Sequence, residues 1–413
     1  MPIRSGTGVA SPESSPLPVS TTKPRTYSSS WQNVMVTIGD LSKLEIHLLD
    51  RLVHQRDGSK QFVLGPTFRE EHRQRLVFHL FSSRQIVLDA YLAFALSMGD
   101  KMQIDASYRY AASALMTLRS FKVTDQFDSA SCLLLGWQIF HFVLKLGGKE
   151  ILSVCSLTLN LIKPHFGPDK TFDSAYLSFL ASLVLTETAE CLMTTGPPTL
   201  RMDHPAVKTH IDGCLGLSTS LLPYMYDLGT LNHALGKASQ LLPSDMGHLV
   251  LDAGVAETLT DLEARFRDWK PMVPDDFGRM FTSSEVAHMM SQAQFVPTSM
   301  LLIIHRLRYP YGVQDGAAAA LSALIIGQVE TALLITGKVP LCVDLPLIIA
   351  CIEIDDDLER CQTLQRLSGI GSYSSVFKRR LSAMISVICE ATRREPMRYH
   401  WYHFGQLLAS FPL

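Results

Sequence analysis

The chain has 413 residues, 47% apolar and only 18% charged, with a net charge of −2. That length fits one large domain or two ordinary ones, and the composition supports a large buried core under a surface poor in charge. A pI near 6.7 excludes the basic face of a free-standing nucleic-acid binder, whose pI usually exceeds about 9.

Residues 1–30 are rich in Ser, Thr and Pro, as in Ser11-Pro12-Glu13-Ser14-Ser15-Pro16-Leu17-Pro18, and read as a disordered tail. They hold no apolar stretch of the kind a secretory signal needs. From Trp31 the pattern turns helical and stays so to residue 413. The expected fold is all-α, a large multi-helix bundle of roughly a dozen antiparallel helices with no sheet.

Asp40 or Ser42 is placed to cap a first helix that ends at Asp57-Gly58. Thr67, with Glu70 three residues on, reads as a capping box for a second that ends near Ser82-Ser83. A third runs through Leu88, Tyr91, Leu92 and Ala95 to Gly99. A fourth, near 102–121, sets Tyr108, Ala111, Leu115 and Leu118 on one face. The next, near 126–146, spaces Leu133, Trp137, Phe140 and Leu144 as a buried stripe and stops at Gly147-Gly148. Helices near 150–163 and 172–193 stop at Pro164 and at Gly196-Pro197-Pro198, and a pair is expected near 204–242. Lys270 to Phe277 reads as a loop. Helices near 283–308, 316–337, 344–367 and 373–394 follow, then the aromatic run Tyr399-His400-Trp401-Tyr402-His403-Phe404. The most apolar stretch, Gly316 to Thr336, is interrupted by Gln328 and Glu330, so no membrane partner is expected.

Signatures of chemistry are incomplete. Gly148-Lys149 and Gly236-Lys237 lack the earlier glycine and the Ser or Thr of a phosphate loop. Gly216-Leu217-Ser218-Thr219-Ser220 lacks the second glycine of a nucleophile elbow. His400 and His403 fit packing better than metal ligation. Asp355-Asp356-Asp357-Leu358-Glu359 fits the DDxxE carboxylate cluster with which class I terpene synthases bind magnesium and diphosphate, and a terpene-synthase-like enzyme is the alternative reading. The companion motif of those enzymes is missing, and a helix meeting water after the apolar run Leu345 to Ile352 accounts for the same residues. The eight cysteines are scattered, with no CxxC, and read as buried hydrophobes in a reducing compartment. Lys378-Arg379-Arg380, and Arg393-Arg394 with Arg398, read as solvated helix faces or weak nuclear-import signals. No catalytic, cofactor-binding, metal or DNA-binding residue is assigned.

Three segments together resemble the fungal-specific transcription factor domain, the regulatory region that follows the zinc binuclear cluster in fungal regulators. The first is Ile211-Asp212-Gly213-Cys214-Leu215-Gly216-Leu217-Ser218-Thr219-Ser220-Leu221-Leu222 with Tyr226-Asp227-Leu228. The second is Trp269-Lys270-Pro271, continuing to Phe281 and to Ile304-His305-Arg306-Leu307. The third is Val339-Pro340-Leu341, then Pro346-Leu347-Ile348-Ile349-Ala350 and Arg360. The first cysteine is Cys132, so the six-cysteine zinc cluster is lacking and DNA binding does not carry over. The resemblance implies a nuclear transcription regulator or co-regulator, similar to those encoded beside fungal secondary-metabolite gene clusters. It would act through protein contacts, with other regulators or a zinc-cluster protein as partners and a small-molecule effector as a further ligand. An in-frame cysteine cluster upstream of Met1 would restore direct DNA readout.

Overall fold

The computed structural model describes residues 41–54, 63–98, 104–148, 150–241, 253–367, 374–395 and 397–409. Apart from Leu41 and Ser42, all of them belong to one compact unit, Lys43–Leu413. The expected tail, the Asp57-Gly58 stop and Gly99 lie outside the described residues.

Sixteen α-helices occur among the described residues, and the only β geometry is an isolated antiparallel bridge between Asp212 and Gly216. They are α1 (Lys43–His54), α2 (Pro66–Ser82), α3 (Arg84–Ser97), α4 (Ile104–Ser120), α5 (Gln126–Lys145), α6 (Ile151–Ile162), α7 (Leu177–Thr194) and α8 (Leu222–Gln240). Then come α9 (Ala253–Asp268), α10 (Phe277–Met280), α11 (Ser283–Arg308), α12 (Asp315–Thr336), α13 (Asp344–Ile352), α14 (Asp357–Leu367), α15 (Ser375–Arg394) and α16 (Phe404–Ala409). The all-α bundle expected from the pattern is what forms.

Packing follows chain order, because short loops bring consecutive helices side by side. α3 lies on α4 and α5, α5 on α6, α6 on α7, and α7 on α8. In the second half α11 is the spine, with α9, α12 and α13 against it. The α5 stripe forms as its spacing predicts, with Leu133, Trp137, Phe140 and Leu144 all buried. Asp125 caps that helix by accepting from the Asp128 amide at 2.7 Å.

Several boundaries differ from the sequence expectation. Thr67 does not cap α2. Its amide and hydroxyl both donate to Glu285, at 2.9 and 2.8 Å, and Glu285 closes a capping box with Thr282 at the start of α11. Burial would raise the Glu285 carboxyl, but these donors outweigh it and hold it below its ordinary value. The 204–242 region holds two short 3₁₀ turns and one long helix in place of a helical pair. The expected 344–367 helix breaks into α13 and α14, because Asp356 turns its carboxylate onto the Leu358 and Glu359 amides, at 2.7 and 2.9 Å, and so starts a new helix. α9 has no counterpart among the helices expected from sequence. On α4 the buried stripe is Ser107, Ala111, Ala114 and Leu118, with Tyr108 exposed. By length and composition α5, a Ser174–Thr194 stretch containing α7, and α12 could each cross a membrane. The first two are 83% and 61% buried inside the bundle, whereas α12 is 28% buried.

At the far end of α11, Arg306 is 1% exposed and forms two bonds to Glu353, Nε to Oε1 at 2.8 Å and Nη2 to Oε2 at 2.5 Å. It also reaches Asp315 at 2.8 Å and the Pro310 and Val313 carbonyls, and lies 4.2 Å from the Tyr311 ring centre. Burial alone would lower its pKa, but the bonds to Glu353 outweigh that and raise it, so the cation is fixed. One side chain thereby ties α11, the 310–313 turn, the start of α12 and the end of α13. Replacing Arg306 by Met strands a buried carboxylate and is expected to cost about 3–5 kcal/mol in denaturant unfolding. Arg306→Met with Glu353→Leu should recover most of that loss. A single variant as stable as wild type would contradict this role.

Candidate functional site

Between the two halves of the bundle lies a partly open cavity of about 570 Å³. That is within the roughly 300–1,000 Å³ typical of small-molecule sites. α5 supplies Trp137, Phe140, His141 and Leu144, so one stripe serves both core and cavity. α7 supplies Ser182, Leu185, Thr186, Ala189, Glu190 and Met193, at the spacing of one helix face. α11 adds Val296, Ser299 and Met300 beside Pro297, which has no N–H to give the Ala293 carbonyl. Lys338 to Cys342 and the start of α13 close the remaining side. A second cavity, of about 200 Å³ near Asp125 and Tyr176, is much smaller.

The wall hydroxyls are committed as donors. Ser182 donates to the Phe179 carbonyl at 3.0 Å, Thr186 to Ser182 at 2.8 Å, and Ser299 to Val296 at 2.7 Å. Each therefore offers a ligand lone pairs, and none directs its proton at a base. Burial holds the His141 imidazole down to about 3, so the ring is neutral, and its Nδ1–H donates to the Trp137 carbonyl at 2.7 Å. This lining suits an apolar molecule carrying a few hydroxyl or N–H donors.

One edge is built from two loops distant in sequence. The Gln292 amide donates to the Cys214 carbonyl at 2.7 Å and the Leu341 carbonyl at 3.1 Å, cinching them together. Asp212 shapes the first loop by accepting from the Cys214 and Leu215 amides, each at 2.7 Å. Gly216 sits at φ +58°, and a Cβ there would come within 2.5 Å of Met289 Cγ. The Cys214 and Cys342 sulfurs are 3.0 Å apart as free thiols. The bond from Cys214, then burial, raises the Cys342 thiol well above its ordinary value. The scattered cysteines thus include one close pair and one exposed thiol, Cys361, and are not all buried.

The other sequence candidates fall away from the cavity. Asp355, Asp356, Asp357 and Glu359 are all exposed, and none lines it. Asp356 is a helix cap, and Asp357 pairs with Arg360 at 2.7 Å and Arg393 at 2.6 Å. Ser218 is fully buried in a 3₁₀ turn with no strand before it. The ring of His403 accepts from the His400 amide at 3.0 Å and lies tilted against the His400 and Tyr402 rings. Among the described residues no three His, Cys, Asp or Glu side chains converge as a metal site. Arg380 is not a solvated face residue, since it donates to the Gly148 carbonyl at 2.7 Å and lies 3.4 Å from Glu190. Cys214, the α11 residues Val296, Ser299 and Met300, and residues between Val339 and Ile348 thus meet at this one cavity.

Compared with family models, with curated proteins and with solved structures, the chain finds no match.

Glu190 is one of the acidic groups of this wall. Burial pushes its carboxyl above the ordinary 4.5, and Arg380 pulls it only partly back. The folded state therefore holds this proton more tightly than the unfolded chain, and stability from this group is lost as pH rises through the folded value. Relative to wild type, Glu190→Gln should gain melting temperature as the pH rises above 4.5 and then level off once the pH passes the raised folded value. A difference that does not change with pH would contradict this.

Proposed function

We propose that the chain is a non-catalytic regulatory domain of the fungal transcription factor kind. On this reading it is a nuclear regulator or co-regulator, of a secondary-metabolite gene cluster, that works through protein contacts and takes an apolar, donor-bearing effector in its cavity. The observation that carries the reading is the cavity itself. It is apolar, its wall hydroxyls are turned into their own helices, and the three segments of the resemblance meet around it. Occupancy would tie α7 and α11 to the 338–342 loop and shift the population of bundle conformations that a partner recognises. The alternative, a terpene-synthase-like enzyme, draws no support from the geometry, because its carboxylates cap and brace helices at the surface.

Deletion of the gene followed by transcript profiling tests the reading. A coordinated change in a co-located set of biosynthetic genes is expected, restored by the wild-type chain. Ala189→Phe, which fills the cavity from the α7 face, should fold normally yet restore the transcripts poorly. It should also bind apolar pathway metabolites at least about tenfold more weakly in calorimetry, as expected for a blocked pocket. Unchanged transcripts, together with diphosphate turnover that Asp355→Ala and Asp356→Ala abolish, would replace this reading with the enzymatic one. Tight, sequence-specific duplex binding by the purified chain alone would remove the co-regulator assignment.

A further inference from the structure

α12 has two faces of opposite fate. Ala318, Ser322, Ile325, Val329 and Ala332 are buried in the packing against α11 and α13. On the other side of the cylinder run Ala317, Ala320, Leu324, Gly327, Thr331 and Leu334, at alternating spacings of three and four. None carries a charge, and together they form a stripe about 26 Å long. Leu334 is 84% exposed, the adjoining Ile335 68% and Leu324 55%. A Cβ added at Gly327 would meet nothing within 4 Å. A continuous apolar stripe on a rigid helix marks an interaction surface.

We propose that α12 pairs antiparallel with α12 of a second copy of this chain. The stripe is self-complementary in one register. With a two-fold axis between positions 325 and 326, Leu324 faces Gly327 of the second copy, Leu334 faces Ala317, and Thr331 faces Ala320. Each larger side chain thus meets a smaller one, and the axis repeats every contact. A parallel pairing would set Leu334 on Leu334 and leave a void at Gly327.

The helix dipoles favour the same arrangement, since antiparallel pairing opposes them and parallel pairing aligns them. Asp315, at the start of α12, stays on its own Arg306 at 2.8 Å, on the side that faces α11. A lipid surface is the rival occupant, because the helix has a mean hydropathy of 1.8. Crossing a bilayer would require burying Gln328 and the ion-paired Glu330, whereas helix pairing leaves both at the flank.

Sedimentation equilibrium on the full chain tests the proposal, with a reversible dimer expected. Leu324→Asp with Leu334→Asp should give a monomer with unchanged helical circular dichroism and melting temperature, because both sites are exposed. Gly327→Leu alone should weaken the dimer by about tenfold or more, and adding Leu324→Ala should restore it by exchanging the large and small positions. In a Cys361→Ser background, Ala320→Cys with Thr331→Cys should form a disulfide between copies that neither single variant forms. A monomeric wild type overturns the proposal, as does a dimer indifferent to the aspartates. Monomers that co-sediment with phosphatidylcholine–phosphatidylserine vesicles, or cross-linking by Ala320→Cys alone, overturn it equally.

Discussion

A guanidinium and a carboxylate with almost no water around them set the geometry of the second half of this bundle. Arg306 on Glu353 is buried on both sides, and neither charge can be left without the other. Because Arg306 also grips Asp315 and two carbonyls of the intervening turn, it fixes the direction in which α12 departs from α11. The same pair anchors the end of α13, and with it the segment that walls the cavity. At the opposite end of α11, Glu285 gathers donors from both Thr282 and Thr67 and so links this spine to α2. A helix pinned at both ends by polar contacts has a fixed position even where Pro297 removes one of its internal bonds.

The cavity is what such pinned helices leave between them. Close packing would require side chains from α5, α7, α11 and α13 to interdigitate fully, and the wall residues do not. The hydroxyls of Ser182, Thr186 and Ser299 are satisfied within their own helices, and Glu190 and Arg366 are paired with Arg380 and Glu330, so the space is mostly apolar although polar residues line it. One edge is closed by the amide of Gln292, which holds two loops at once, and by the Cys214–Cys342 contact between the same loops. Local opening at that edge costs a few hydrogen bonds and leaves the helices in place.

Much of the fold was legible because long apolar stripes admit one reading. The α5 stripe, stopped by Gly147-Gly148, the limits of α11 and the end of α15 follow directly from periodicity. α9 was missed because Glu257, Asp261, Glu263, Arg265 and Arg267 dilute a stripe of only Leu259, Leu262 and Phe266. Thr67 reads as a local cap because a capping box and a bond to a residue 218 positions away look the same in sequence. The cavity was out of reach for the same reason. Cys214 and Cys342 are separated by 128 positions, and nothing in either segment shows that Gln292 will join them. Arg380 lay within a basic run and read as a surface residue, while its carboxylate partner stood 190 positions earlier.

Trp401 is fully buried, and its indole N–H donates to the Leu192 carbonyl on α7, 209 residues back in the chain. Gly405, a few residues on, lies so near the Thr194–Thr195 backbone that a Cβ would come within 2.4 Å of the Thr194 oxygen. A polypeptide leaving the ribosome in order has no way to seal that groove until these residues have been made. Through roughly half of translation α7 must wait with an uncovered apolar flank, a demand that chaperones exist to meet.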